Sequence, residues 1–350
     1  MFTFSGDLPS SKYGAKFDTS QFVWLPPHIR QLAECSISAS TWSTYKTAIT
    51  TYENFLAFHC LMLLFPIPAT LLEKFVVYLF KFKCLAPGTI NNYLSGLQFF
   101  HKLSNHSLKA FKSPRLLLVL TGISNLYKIN APSSGKVRCA MTFDALKVFG
   151  HEIYHSYLLS DFDKQVLWTV SLLSYWGSFR LGDFLPGSYG RDEFRILKWS
   201  KIHVFDKNHL TVFISVPKVH KDMGHVKDFF RQDDKTYCPV YNLLCLYRLV
   251  SVKPNFDLNN PVFLKENNYN FTIVNMRTWL KKLLCPVLGN HFNAHSFRSG
   301  VPSLMAAHPL VFSKSEIMDR GVWSSDAYKA YIKSQGIGRA HTNAKLQALH

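Results

Sequence analysis

The stretch INAPSSGKVRCA, residues 129–140, holds Pro, Gly and two Ser and shows no hydrophobic period. Such a run cannot keep a helix or strand in phase with a core, so it reads as a linker between separately folded parts. The sequence on its two sides differs in period. From 33 to 128 apolar residues recur every three or four positions, the spacing of helix faces. Trp42, Tyr45, Ile49, Tyr52, Leu56 and His59 mark one helix, and Leu71, Leu72, Phe75, Val76 and Leu79 mark another after Pro68. Ile90, Tyr93, Leu94, Leu97 and Phe100 mark a third after Pro87, and a fourth begins at Pro114 and ends near Gly122 or Tyr127.

Beyond Met141 the periods mix. Thr142 can cap a helix through Tyr157, and the apolar run DFDKQVLWTVSLLSYWGS follows. ILKWSKIHVF and HLTVFISVP then flank the turn residues Asp206, Lys207 and Asn208, with VKDFFR as a third strand. Helices are expected over 240–250, 271–284, 296–307, 313–320 and 324–333, with Ser313 and Glu316 forming a capping box. The expected fold class is mostly α with a small antiparallel β-sheet: an N-terminal helical bundle and an α+β second domain. The divisions are a flexible arm at 1–32, the bundle at 33–128, the linker at 129–140, the second domain at 141–333 and a C-terminal tail at 334–350.

Charge narrows the partner. The chain of 350 residues carries 40 Lys and Arg against 22 Asp and Glu, a formal +18. An excess of this size favours a polyanion, because cationic side chains release condensed counterions from nucleic acid. Lys46, Lys81, Lys83 and Lys102 lie on the predicted helices, and only Glu53 and Glu73 oppose the basic residues between Lys46 and Arg115. Each alone is an ordinary solvated lysine; as a set they point to a DNA-facing side. Lys136 and Arg138 place further positive charge in the linker. The seven cysteines include no CxxC pair, which argues against a disulfide framework or a zinc ribbon. The N-terminus lacks a signal-peptide layout, and the longest apolar run, broken by Pro66 and Pro68, is too short to span a bilayer. No Walker loop, GxGxxG or paired-carboxylate metal site is visible, so neither metal, cofactor nor small-molecule ligand is expected.

The chemistry concentrates in four pieces: GSFRLGDFL with Arg180, ISVPKVHK with Lys218, HSFRSG with His295 and Arg298, and GVWSSDAYKAYI with Trp323, Tyr328 and Tyr331. His295 and Arg298 are three apart and should lie one turn from each other on one helix face. Two guanidinium forks can neutralise the equatorial oxygens of an attacked phosphodiester without a metal. A histidine can donate to a phosphate oxygen or shuttle a proton, whereas an indole N–H can only donate. A lysine beside two arginines has its proton loosened and suits the role of general acid. A tyrosine hydroxyl, with a free pKa of ~10, needs that cationic field before it attacks.

This order of Arg, Lys, HxxR, Trp and Tyr resembles the phage-integrase type of tyrosine recombinase. The wording of HSFRSG and GVWSSDAYKAYI is most like the enzymes of DIRS, Ngaro and Crypton mobile elements. The resemblance implies a core-binding helical domain and a catalytic domain that clamp duplex DNA. It implies Arg180, Lys218, His295, Arg298, Trp323 and Tyr331 as catalytic residues, with Asp183 as the acidic partner that orients the site. Lys221 is the rival of Lys218 and otherwise a DNA contact. Tyr331 lies eight residues after Trp323 and Tyr328 five, and the longer spacing is nearer that of the bacterial and phage enzymes. The implied activity is site-specific DNA cleavage and rejoining through a 3′-phosphotyrosyl link, without metal or ATP. Double-stranded DNA is the implied partner, bound by a homo-tetramer with a dimer per site, and the nucleus is the implied compartment. A type IB topoisomerase-like enzyme and a non-catalytic domesticated DNA-binding protein are the alternatives. Two features depart from the family: GSF replaces Thr-Gly before the first arginine, and Pro302 follows HSFRSG, where a helix tolerates proline best in its first turn.

Overall fold

The computed structural model describes residues 28, 36–37, 39–62, 66–130, 139–187, 196–214, 224–289, 291–321, 323 and 329. The chain forms two compact units, Met1–Gly135 and Lys136–His350.

The first unit contains α1 (Ala39–Phe58), α2 (Ala69–Lys81), α3 (Pro87–Leu103) and α4 (Pro114–Asn130). Pro87 and Pro114 open their helices, where a missing N–H costs nothing. The predicted stripes face inward, with Tyr52, Leu56, Leu72, Phe75 and Leu97 buried and Tyr52 edge-on to Phe75 at 5.2 Å, except that His59 at the end of the first stripe is exposed. Buried His101 fastens the approach to α2. Its Nε2 accepts the Ile67 N–H at 3.1 Å, its Nδ1 lies 3.3 Å from the Ser107 carbonyl, and burial lowers its pKa. Helix α4 is longer than its sequence suggests, passing Gly122 and Tyr127 to reach Asn130. Gly122 is exposed, and one such glycine costs a helix only about 1 kcal/mol. Lys46, Lys81, Lys83 and Lys102 are all exposed, while Arg115 is paired to Glu73 at 2.6 Å.

The second unit is built on α6 (Asp161–Gly177), preceded by α5 (Phe143–His155). The hydroxyls of Thr142 and Ser160 cap these helices by accepting the amides of Ala145 and Asp163. After a polar first turn, helix α6 carries apolar or small hydroxyl side chains on every side, so burial all round is the stable state there, and Val166 to Tyr175 lie in the core without a break. A three-stranded antiparallel sheet packs beside it: β1 (Ile202–Val204), β2 (His209–Ile214) and β3 (His225–Phe230), in that order. The first strand is much shorter than ILKWSKIHVF implied, because Trp199–Lys201 coil into a 3-10 turn. Leu210, Val212 and Ile214 of β2 alternate inward, and Val212 faces Lys227 of β3.

Further helices among the described residues are α7 (Pro239–Ser251), α8 (Ile273–Trp279), α9 (Cys285–Leu288), α10 (Ser296–Ala306) and α11 (Lys314–Gly321). A π turn, Leu280–Leu284, joins α8 to α9. The expected box forms at α11: Ser313 Oγ accepts the Glu316 amide, and the Glu316 carboxylate accepts the Ser313 N–H. No described helix is long and apolar enough to cross a membrane. The arm at 1–32 (apart from His28), Lys136, Arg138 and the tail at 334–350 lie outside the described residues.

Candidate functional site

The site is assembled where the C-terminal ends of α6 and α11 meet the start of α10. Helix α10 can come this close because Gly300 has no side chain. A Cβ there would stand 2.5 Å from the Met141 carbonyl oxygen and 2.6 Å from the Tyr175 ring. The Met141 amide donates to the Ser296 carbonyl at 2.8 Å, fixing the first turn. This accounts for glycine in HSFRSG: it sets the distance between α10 and α6, and so the depth of Arg298.

Arg298 is 1% exposed. Its guanidinium donates to the Ser178 carbonyl at 3.2 Å and to the Gly321 carbonyl. Its centre lies 4.9 Å from the Trp323 ring, in cation–π contact. Ser178 ends α6 in a left-handed conformation, with φ 51°, a backbone state unusual for a side chain larger than hydrogen. That turn aims its carbonyl at Arg298. Gly321 is close-packed under Trp323, where any Cβ would collide with the indole. A buried guanidinium needs partners, and here they are the negative ends of two helices together with an aromatic face.

Two further cations belong to the same cluster. Lys227 is buried on the inward face of β3, and its ammonium donates to the Asp319 and Arg320 carbonyls at 3.0 and 2.9 Å. Burial, the Arg320 charge and the Arg298 charge hold its pKa down, to about 8; Asp319 and Asp228 oppose them. The Arg320 guanidinium donates to the Trp176 carbonyl, and burial lowers its pKa too. A cavity of about 580 Å³ opens beside Lys227 and Arg320, lined also by Trp176, His225 and Glu316. Lysine and two arginines therefore gather around carbonyl oxygens. Such a nest suits an anion, which offers each cation stronger acceptors than a carbonyl does.

Of the predicted site residues, Arg298 and Trp323 come into direct contact. Arg180 is half-buried on the segment just after Ser178, whose carbonyl Arg298 holds. Asp183 is buried in the 3-10 turn that follows, its amide donating to the Arg180 carbonyl at 2.8 Å. His295 departs from the expectation of a shared helix face. It precedes the first turn of α10 as its N-cap and is exposed, whereas Arg298 lies inside. Pro302 also departs, lying in the second turn of α10 rather than the first. Proline has no N–H for the carbonyl four residues back, which belongs to Arg298. Lys218, Lys221, Tyr328 and Tyr331 lie outside the described residues.

The sequence reading passed over Lys227 and Arg320. The signal for Lys227 was present: strand alternation puts Lys227 in phase with buried Phe229, so its side chain had to point inward. Arg320 carried no such mark. Among the described residues no group of three His, Cys, Asp or Glu could hold a metal ion.

No family model matches the sequence, and no curated protein matches it. Solved structures do match the fold. The XerH site-specific recombinase, in a post-cleavage complex with a palindromic difH substrate, superposes at TM-score 0.56 and 12% identity, over 91% of this chain and 84% of that one. The Tn1549 transposon integrase in complex with transposon right-end DNA gives 0.55 and 14%, over 89% and 95%. A lambda integrase dimer bound to a COC′ core site gives 0.55 and 14%, again over 89% and 95%. The chain has the fold of the tyrosine recombinases and integrases. At these identities the likeness is one of fold.

Proposed function

We propose that this protein is a site-specific DNA recombinase that cleaves and rejoins duplex DNA through a tyrosine-linked intermediate. The observation that carries the reading is buried Arg298, stacked on Trp323 and tied to the segment that leads into Arg180, on a recombinase fold. The solved relatives hold DNA, and the +18 charge of this chain suits the same ligand. In the DNA-bound state a scissile phosphate would take over the donors that Arg298 now directs at Ser178 and Gly321. Arg180 would supply the second fork, and Trp323 and His295 single donors. Lys218, with Lys221 as rival, would protonate the departing 5′ oxygen. Tyr331 would attack phosphorus, giving a 3′-phosphotyrosyl bond whose retained energy makes rejoining independent of ATP.

By the wording of its motifs the enzyme belongs with those of eukaryotic mobile elements and acts in the nucleus as a tetramer, a dimer on each site. The test is a nicked suicide duplex carrying the protein's selected binding site. The wild-type chain should form a covalent protein–DNA adduct, and Tyr331→Phe should not. An adduct that persists in Tyr331→Phe and vanishes in Tyr328→Phe moves the nucleophile. Tight binding with no adduct from the wild type would identify a non-catalytic DNA-binding protein instead.

A further inference from the structure

We propose that Lys227 is a positioning residue for this site: its ammonium clamps the last turn of α11 and so holds Trp323 beside Arg298. The catalytic consequence rests on the recombinase reading; the clamp itself does not. Three observations carry it. First, Lys227 stands on the inward face of β3 opposite Val212, between the sheet and the helices, where a lysine is costly unless its protons are taken up. Second, the groups that take them up are the carbonyls of Asp319 and Arg320, at 3.0 and 2.9 Å. These belong to the end of α11, where carbonyls lack helical partners and the helix dipole is negative. Third, the next residue is Gly321, whose carbonyl accepts from Arg298, and two residues on is Trp323, whose ring meets the same guanidinium.

One short segment, Asp319 to Trp323, is therefore gripped by Lys227 from the sheet and by Arg298 from α10. Arg320 ties it to α6 through the Trp176 carbonyl. The charged groups around the ammonium are Arg298 and Arg320, which repel it, and Asp228 and Asp319, which attract it. His225 and Glu316 line the adjoining cavity. Asp228 is drawn to the other face of the strand, where its carboxylate lies 2.8 Å from His209, and the two carbonyls take up the Lys227 protons. The clamp fixes the point from which the chain departs towards Tyr331. A displacement of about 1 Å at a reacting group costs on the order of 10²-fold in rate.

The experiment uses the full chain with Lys227→Met, which keeps the aliphatic stem, and Lys227→Arg, which keeps charge and donors. Hydrogen exchange without DNA reads the clamp directly. In Lys227→Met the amides of 319–323 should exchange at least tenfold faster, and in Lys227→Arg within about threefold of wild type. On the suicide duplex Lys227→Met should bind DNA within about threefold of wild type but form adduct roughly 10²-fold more slowly. Lys227→Arg should recover most of that loss. Unchanged exchange at 319–323 in Lys227→Met overturns the proposal, and so does an unchanged adduct rate. Faster exchange with no adduct from the wild-type chain leaves the clamp standing and removes the recombinase reading. Should Lys227→Met not fold, amine acetylation of the wild-type chain decides. A clamped Lys227 reacts at least tenfold more slowly than exposed Lys201 and Lys207, and an equal rate overturns the proposal.

Discussion

Gly300→Ala tests the packing that sets the depth of Arg298. The added Cβ would stand 2.5 Å from the Met141 carbonyl oxygen and 2.6 Å from a Tyr175 ring carbon, against 3.4 Å for an ordinary contact. One obstacle is backbone, held in place by the Met141–Ser296 hydrogen bond, and the other is a ring 1% exposed in the core. Neither can swing away, so α10 must retreat by most of a missing ~0.9 Å. Overpacking of this kind costs about 1–3 kcal/mol. For a unit of about 200 residues, 2 kcal/mol lowers the melting midpoint by roughly 4–8 °C. Tryptophan emission is a suitable probe, because Trp168, Trp176, Trp199, Trp279 and Trp323 all lie in the second unit. The same retreat draws Arg298 away from Ser178 and Trp323, so adduct formation should fall on the order of 10²-fold while DNA binding changes little. A Gly300→Ala protein within 0.5 °C of the wild-type midpoint, with wild-type adduct kinetics, would refute the reasoning: α10 would not then be seated on α6 as described.

Three further outcomes are expected. Lys227 titrates near 8 in the folded chain and near 10.5 in the unfolded one, so between those values the unfolded state binds more protons. Stability should therefore rise with pH across that window, by up to about 3 kcal/mol, in denaturant titrations of the wild type. The rise should be absent in Lys227→Met, and an equal rise there would show that Lys227 is not its source. Trp323→Ala should destabilise the second unit by about 3–5 kcal/mol in the same titrations. Trp323→Phe keeps a ring under Arg298 and should retain most of that stability while slowing adduct formation, since the indole N–H is gone. Replacing Lys46, Lys81, Lys83 and Lys102 together by Ala should flatten the dependence of log affinity on log salt by about 0.9 for each lysine that touches a phosphate. An unchanged slope would place the DNA face elsewhere.

The sequence by itself determined the elements whose burial is periodic. The stripes of α1 to α3 face the core, α6 is buried on all sides from Val166 to Tyr175, and the Ser313–Glu316 box opens α11, because side-chain spacing and local hydrogen bonds dictate each of these. It also marked Arg298 and Trp323 through their motifs. It misjudged elements decided by weak local preference, such as the end of α4 and the extent of β1. Only the tertiary structure decided how the charged groups meet. His295 and Arg298 are neighbours in sequence, yet one lies in solvent and the other in the core, because α10 begins between them. Lys227, Arg298 and Arg320 come from three distant segments, and each finds its own carbonyl acceptors only where the ends of α6 and α11 converge. Which acceptors satisfy a buried cation depends on long-range packing, and no spacing within one segment encodes that.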